Sequence, residues 1–398
     1  MMAALRSRAG RLVRRAGLLP GGVADGLGED ARLDGLVLDG RVVVFFPDPP
    51  ENLYQLREWY DPLAGLDEAV GVTVLTQDSR TTAAVRRESG LTVHCAALTR
   101  TVGRLLADGP VGLVLYVGQA NANAVALRSG TVAHVFLNHG ESDKMVSVSN
   151  QVKGFDAAFV GGPAAVERHR AGLLFFDVDA RLTVIGRPQL PERGTPTGPT
   201  TVLYAPTWEG TLAVNAYSSV RAYGETLVRS LLEDTAHHVV YRPHPRTGRS
   251  DRTYAEADRR IRALVAAHGG RARVDTGPAG EAMRSAHVMV ADTSAIATDW
   301  LSQRRPLLTT EAADARARIA RPGRLHERTP HIGPATAHEA GRLVDAALAD
   351  PRAGAVLDEL AADYLGGLDG AAAQRAFVAA CEDLLARRDA ALAREVAS

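Results

Sequence analysis

Lysine is nearly absent from this chain: Lys144 and Lys153 stand alone among 46 basic residues, and the rest are arginine. Cysteine is as scarce, with Cys95 and Cys381 only, which excludes a disulfide framework or a thiolate metal site and suits a reducing compartment. There is no excess of charge of either sign, since Lys+Arg and Asp+Glu both number 46, so no global field favours nucleic acid. No run approaches the roughly 18 apolar residues of a membrane span, and no signal-peptide core with a small-residue cleavage site follows the basic start. The expectation is a cytoplasmic protein.

What is present is enough apolar sequence for two cores: 398 residues, 46% hydrophobic, against a norm of roughly 150 residues per domain. Short apolar runs alternate with helical stretches such as Asn52–Leu63 and Thr82–Glu88. The runs Val42–Phe46, Val72–Leu75, Leu91–His94, Leu113–Val117, His134–Leu137 and Ala157–Val160 predict strands of a first sheet. Gln189–Thr200, with three prolines and two glycines, breaks every periodicity as a linker does. A second series follows at Thr201–Tyr204, His238–Tyr241, Ala272–Asp275, Val288–Ala291 and Leu307–Thr309, and the alanine-rich stretch from Ala337 to Val396 reads as helices broken at Pro351 and Gly366-Gly367. The fold class expected is α/β, two doubly wound Rossmann-like domains facing a cleft, with a helical tail. The boundaries expected are 1–30 for a basic amphipathic segment, 31–190 and 198–345 for the two domains, and 346–398 for the tail. In the first segment Arg6, Arg8, Arg11, Arg14 and Arg15 interleave with Leu5, Leu12 and Leu19, a pattern that fits either an anionic membrane surface or a solvated terminal helix.

Candidate chemistry gathers where apolar runs end, because open parallel sheets bind ligands at the carboxyl ends of their strands. His139-Gly140 follows one run, and an imidazole near neutral pKa there is suited to take a proton from an attacking hydroxyl; a plain loop-capping histidine is the alternative. Lys144 lies just beyond, a compact ammonium able to meet phosphate as a point charge. His244 sits between Pro243 and Pro245 with Arg242 and Arg246 on either side, a set that favours a phosphate site over a rigid turn. Asp292, Thr293 and Ser294 stand at a strand-to-helix junction, with Asp299 seven positions beyond Asp292. Capping alone accounts for such residues, but a helix start also offers unpaired N–H groups to a pyrophosphate. Asp177-Val-Asp179 has an Asp-x-Asp form used with metals, yet Phe175-Phe176 and the apolar run after it place it at a strand edge, and no metal or other cofactor is expected.

Taken in order, these segments resemble the CDP-glycerol glycerophosphotransferases that polymerise teichoic acids, a family with the two-domain GT-B architecture. His139, Gly140 and Lys144 match its His-Gly and lysine; Tyr204-Ala-Pro-Thr-Trp208, including Thr207, is intact; Arg242, His244 and Pro245 match Arg-x-His-Pro. Asp292, Ser294, Asp299 and Pro306 match its aspartate–serine segment, and Asp369, Gly370 and Arg375 its C-terminal Asp-Gly and arginine. The chain departs from the pattern at Glu209, where arginine is usual, at Ala295, where a second serine is usual, and in Glu141-Ser-Asp143. The resemblance implies that residues 198–345 bind a CDP-alcohol, CDP-glycerol first, and that residues 31–190 face a lipid-linked or oligomeric polyol or sugar acceptor. It implies His139 as general base, His244 with Arg242 on the pyrophosphate, CMP as leaving group, and work at the inner face of the plasma membrane. A GT-B glycosyltransferase using a nucleotide sugar is the alternative.

Overall fold

A computed structural model describes residues 24–397, so the basic segment expected over residues 1–30 falls mostly outside the described residues. The first half builds a seven-stranded sheet from β1 (Val42–Phe46), β2 (Val72–Thr76), β3 (Thr92–Cys95), β4 (Leu113–Tyr116), β5 (Ala133–Phe136), β6 (Ala157–Val160) and β7 (Leu182–Val184). Its order is β3-β2-β1-β4-β5-β6-β7, every pair parallel, with Val42 opposite both Val72 and Leu113. The second half builds a six-stranded sheet from β8 (Thr201–Ala205), β9 (His238–Tyr241), β10 (Ala272–Val274), β11 (Val288–Ala291), β12 (Leu307–Thr310) and β13 (His331–Ile332). It runs β10-β9-β8-β11-β12-β13, again wholly parallel. Helices cover both faces of such sheets, so strands like Val-Val-Val-Phe-Phe are buried along their whole length, which is why continuous apolar runs marked them.

Two strands escaped that signal, β7 and β13. Both are short edge strands, and β7 leaves Thr183 and Val184 exposed. The helix expected over Asn52–Leu63 is instead split into Tyr54–Arg57 and Tyr60–Val70. Asp177 caps the short helix Val178–Arg181 through the Ala180 N–H, and Asp179 pairs with Arg170 at 2.6 Å. Among the described residues no group of three or more His, Cys, Asp or Glu is placed to hold a metal ion, and no helix is long and apolar enough to cross a membrane.

The tail does more than follow the second half. Helix Ala353–Leu365 packs Leu357, Leu360 and Tyr364 among Trp300, Leu301 and Ala164. Gly366 and Gly367 then take left-handed backbone, φ 66° and 68°, which ends that helix at low cost because neither carries a Cβ. The final helix, Gly370–Ala397, returns to the first half, where Phe377, Cys381 and Leu385 join the core around Trp59 and Phe159. With one helix packed on each half, the tail ties the two halves together.

Each sheet reverses its order once, between β1 and β4 and between β8 and β11. The loops leaving those strands meet face to face, which sets the position of the cleft.

Candidate active site

The cleft between the halves encloses about 1290 Å³ and draws its lining from both. On the first-half side the chain leaves β5 through Asn138, whose φ of 58° is uncommon for a residue with a Cβ but tolerable for asparagine. The turn is pinned twice: Trp59 Nε1 donates to the Asn138 carbonyl at 2.8 Å, and Asn138 Oδ1 accepts from the His139 N–H at 2.9 Å. His139 therefore enters the cleft in a fixed pose. Burial pushes its pKa down to about 4, with the Arg187 guanidinium acting in the same direction and the Val117 carbonyl against it. The imidazole is thus neutral over the whole physiological range, rather than poised near pH 7 as its sequence context suggests.

Gly140 has its own reason. A Cβ there would lie 2.5 Å from that of Ala295, so the His-Gly turn presses against the start of helix Ala295–Asp299 across the cleft. A serine at 295 would add a hydroxyl to that contact.

On the second-half side, His244 accepts a hydrogen bond at Nδ1 from the Arg246 N–H at 3.1 Å, which leaves the proton of the neutral ring on Nε2. Burial, together with the cations Lys144, Arg246 and Arg242 and the second imidazole, pushes its pKa down to about 3. His244 is a neutral N–H donor, not a cation. Tyr54 stands edge-on to both imidazoles, 5.9 Å from His139 and 5.6 Å from His244 between ring centroids. Arg246 lies 4.0 Å over the Trp208 ring, within reach of a cation–π contact.

Lys144 crosses the cleft. Its Nζ donates to Thr207 Oγ1 at 2.7 Å and sits 5.6 Å over the Tyr217 ring. Burial lowers its pKa to about 8, opposed by the charge of Asp292. Thr207 in turn donates its N–H to Asp292 Oδ2 at 2.7 Å. Lys153, the other lysine, lies away from the cleft lining.

Five sequence-derived candidates are engaged by other groups of the chain or lie outside the cleft lining. Asp292 is fully buried, and its carboxylate is filled by Thr207 N–H, Ser219 N–H, Ser219 Oγ and Thr310 Oγ1; it ties the ends of β8, β11 and β12 together and offers nothing to the cleft. Thr293 is likewise buried and outside the lining, while Ser294 lines the cleft with its Oγ turned to the Asp292 carbonyl at 2.9 Å. Asp299 is held in a bidentate pair by Arg187, 2.9–3.2 Å between the groups. Arg242 lines the cleft but spends one nitrogen on Asp275 and the Gly277 carbonyl, which fixes its guanidinium rather than leaving it free. The helix starting at Ala295 is only five residues long before it tightens, so its backbone amides count for more than its dipole.

Tyr54, Trp59, Arg187 and Tyr217 carry the site as much as the expected residues do, yet nothing local marks them. Tyr54 and Trp59 read as ordinary aromatics of a helix, and Arg187 meets Asp299 across 112 positions of sequence. Glu209, where the resembled family has arginine, is buried; burial alone would raise its pKa, but hydrogen bonds from Gly248 and Ser250 hold it down, and the Asp251 N–H donates to it as well. It fastens the loop that follows Arg246.

Residues 189–318 match the family model described as CDP-glycerol:poly(glycerophosphate) glycerophosphotransferase. No curated protein matches the chain in sequence. Solved structures similar in fold include a glycosyltransferase from Rickettsia africae at 10% identity, covering 86% of this chain and 98% of that one with TM-score 0.54. Anabaena HepE in complex with UDP and glucose aligns at 10% identity over 86% and 99%, TM-score 0.55. The wall teichoic acid polymerase TagF aligns at 12% identity over 91% and 92%, TM-score 0.54. The family match falls on the segment that carries Tyr204-Ala-Pro-Thr-Trp208, Arg242-Pro-His244 and Asp292-Thr-Ser294. Over residues 189–318, about a third of its length, the chain is therefore similar to the CDP-glycerol:poly(glycerophosphate) glycerophosphotransferase family, and its two parallel sheets form a frame of the GT-B type.

Proposed function

We infer that this transferase moves a polyol-phosphate unit, glycerol phosphate first, from a CDP-linked donor to a hydroxyl acceptor in the synthesis of a teichoic-acid-like polymer. The observation that carries the reading is the pairing across the cleft of two neutral imidazoles, His139 and His244, about a shared Tyr54, with Lys144, Arg242 and Arg246 around them. In this reading residues 198–345 hold the nucleotide and residues 31–190 face the acceptor.

The acceptor oxygen attacks the β-phosphorus as its proton passes to His139; the bridging P–O bond breaks, and CMP leaves with the bridging oxygen. A base of pKa near 4 is always free to accept but drives transfer weakly. A bound pyrophosphate offsets this, because its negative charge counters Arg187, Lys144 and Arg246, the cations that hold the imidazole down. His244 Nε2–H, the free edge of Arg242, Lys144, the Ser294 hydroxyl once it turns from the Asp292 carbonyl, and the amides at the start of helix Ala295–Asp299 stabilise the departing charge. In phosphoryl transfer such fixed electrostatics supply most of the catalysis. We further propose that the arginines before residue 16 bring the enzyme to an anionic membrane face.

A panel of CDP-glycerol, CDP-ribitol and UDP-sugars, read by nucleotide release, tests the reading. CMP release from a CDP-alcohol supports it. UDP release alone refutes it in favour of glycosyl transfer.

A further inference from the structure

The two walls of the cleft differ in charge. Arg242, Arg246 and Arg284 outnumber Glu281 and Asp299 on the second-half wall, whereas on the first-half wall Asp48, Glu58, Asp61 and Glu88 outnumber Arg57 and Lys144. Of the cations on that side, Arg57 is held bidentately by Glu88 at 2.8 and 3.0 Å, and Lys144 reaches across the cleft to Thr207 on the second half. The same side carries polar atoms that are buried yet have no hydrogen-bond partner, namely Gln55 Oε1, Tyr60 Oη and both amide atoms of Gln189. Leaving such groups unpaired costs free energy, so their retention beside a large cleft points to a ligand that completes them.

We propose that this wall is an acceptor subsite for an uncharged, hydroxyl-rich end, a sugar or a free polyol, and that it disfavours a polyphosphate chain. The proposal rests on the transferase reading given above. Hydroxyls supply donors to the carboxylates of Asp48 and Glu58 and to Gln55 Oε1, and both donor and acceptor to the Gln189 amide. Phosphodiesters offer only acceptors and negative charge. Against these carboxylates they meet repulsion; Arg57, the cation beside them, is paired with Glu88, and Lys144, Arg242 and Arg246 stand at the second-half wall.

The test uses the full chain without donor, so that it does not depend on nucleotide recognition. Binding of tri(glycerol phosphate) and of neutral methyl glycosides of glucose, galactose and N-acetylglucosamine is measured by ligand-observed NMR at low and high NaCl. At least one neutral probe should bind tenfold or more tightly than tri(glycerol phosphate), whose affinity should rise with salt as repulsion is screened. Glu58→Lys should narrow that preference about tenfold, while Glu58→Gln keeps the neutral probe within threefold. Tighter binding of tri(glycerol phosphate), its weakening by salt, failure of every neutral probe, or an unchanged preference in Glu58→Lys would overturn the proposal. CDP binding measured by calorimetry on the same samples separates the readings: its absence sinks the CDP-donor assignment and leaves the acceptor result standing by itself.

Discussion

Replacing Arg187 by methionine perturbs stability and catalysis through one contact. Arg187 is 4% exposed at its side chain and closes a bidentate pair with Asp299, which keeps 17% of its side chain open to the cleft. Removing one partner of a buried pair costs about 3–5 kcal/mol because the other charge stays behind uncompensated. The opening at Asp299 puts the expected loss near the lower end, about 3 kcal/mol. For a half of about 200 residues, each kcal/mol moves Tm by about 2–4 °C, so Arg187→Met should melt about 6–12 °C lower. The double variant Arg187→Met/Asp299→Leu removes the stranded carboxylate and should recover most of that loss. The guanidinium is also the largest influence on His139 after burial, and both hold the imidazole neutral. Without Arg187 the ring gains protons more easily, and its pKa rises from about 4 toward 6.5, by about one unit for a charge at this range. The acid limb of kcat/KM, which records loss of the neutral base in the free enzyme, should therefore move up by the same amount. Calorimetric melting and CMP release from CDP-glycerol across pH 4–8 provide the two readouts. A double variant no more stable than the single one, or an acid limb that does not move in Arg187→Met, would refute the reasoning.

His139→Ala should lower kcat by about 100-fold or more and leave CDP affinity nearly unchanged by calorimetry, and near-normal turnover in the folded variant removes His139 from proton transfer. Arg242→Ala should weaken CDP binding by about 1.5–3 kcal/mol and Ser294→Ala by less; unchanged titration curves in the arginine variant would place the pyrophosphate elsewhere. Lys144 carries its charge below about pH 8 and loses it above, so CDP affinity should fall as pH rises through that value. Lys144→Met should flatten this dependence, and a dependence that persists would assign it to another group.

Much of the architecture was legible along the chain because a parallel strand buried on both faces must be apolar throughout, as β1, β4, β6 and β11 are. The positions of His139, Thr207, His244 and Ser294 at strand ends follow from the same rule, since loops leaving a doubly wound sheet are where ligands bind. Edge strands β7 and β13 were hidden because one side faces solvent or is too short to impose a pattern.

Sequence alone thus determined which residue types stand at the strand ends and in what order. Tertiary structure decided what each could do there. Asp292 looked like a ligand and is a tie between three strands, because folding brings four donors to one carboxylate. His139 looked like a base poised near neutral pH and His244 like part of a phosphate site, but the closed cleft strips both of water and surrounds them with cations gathered from distant segments. Desolvation and field are properties of the assembled volume, set by groups far apart in sequence, and a linear pattern does not encode them.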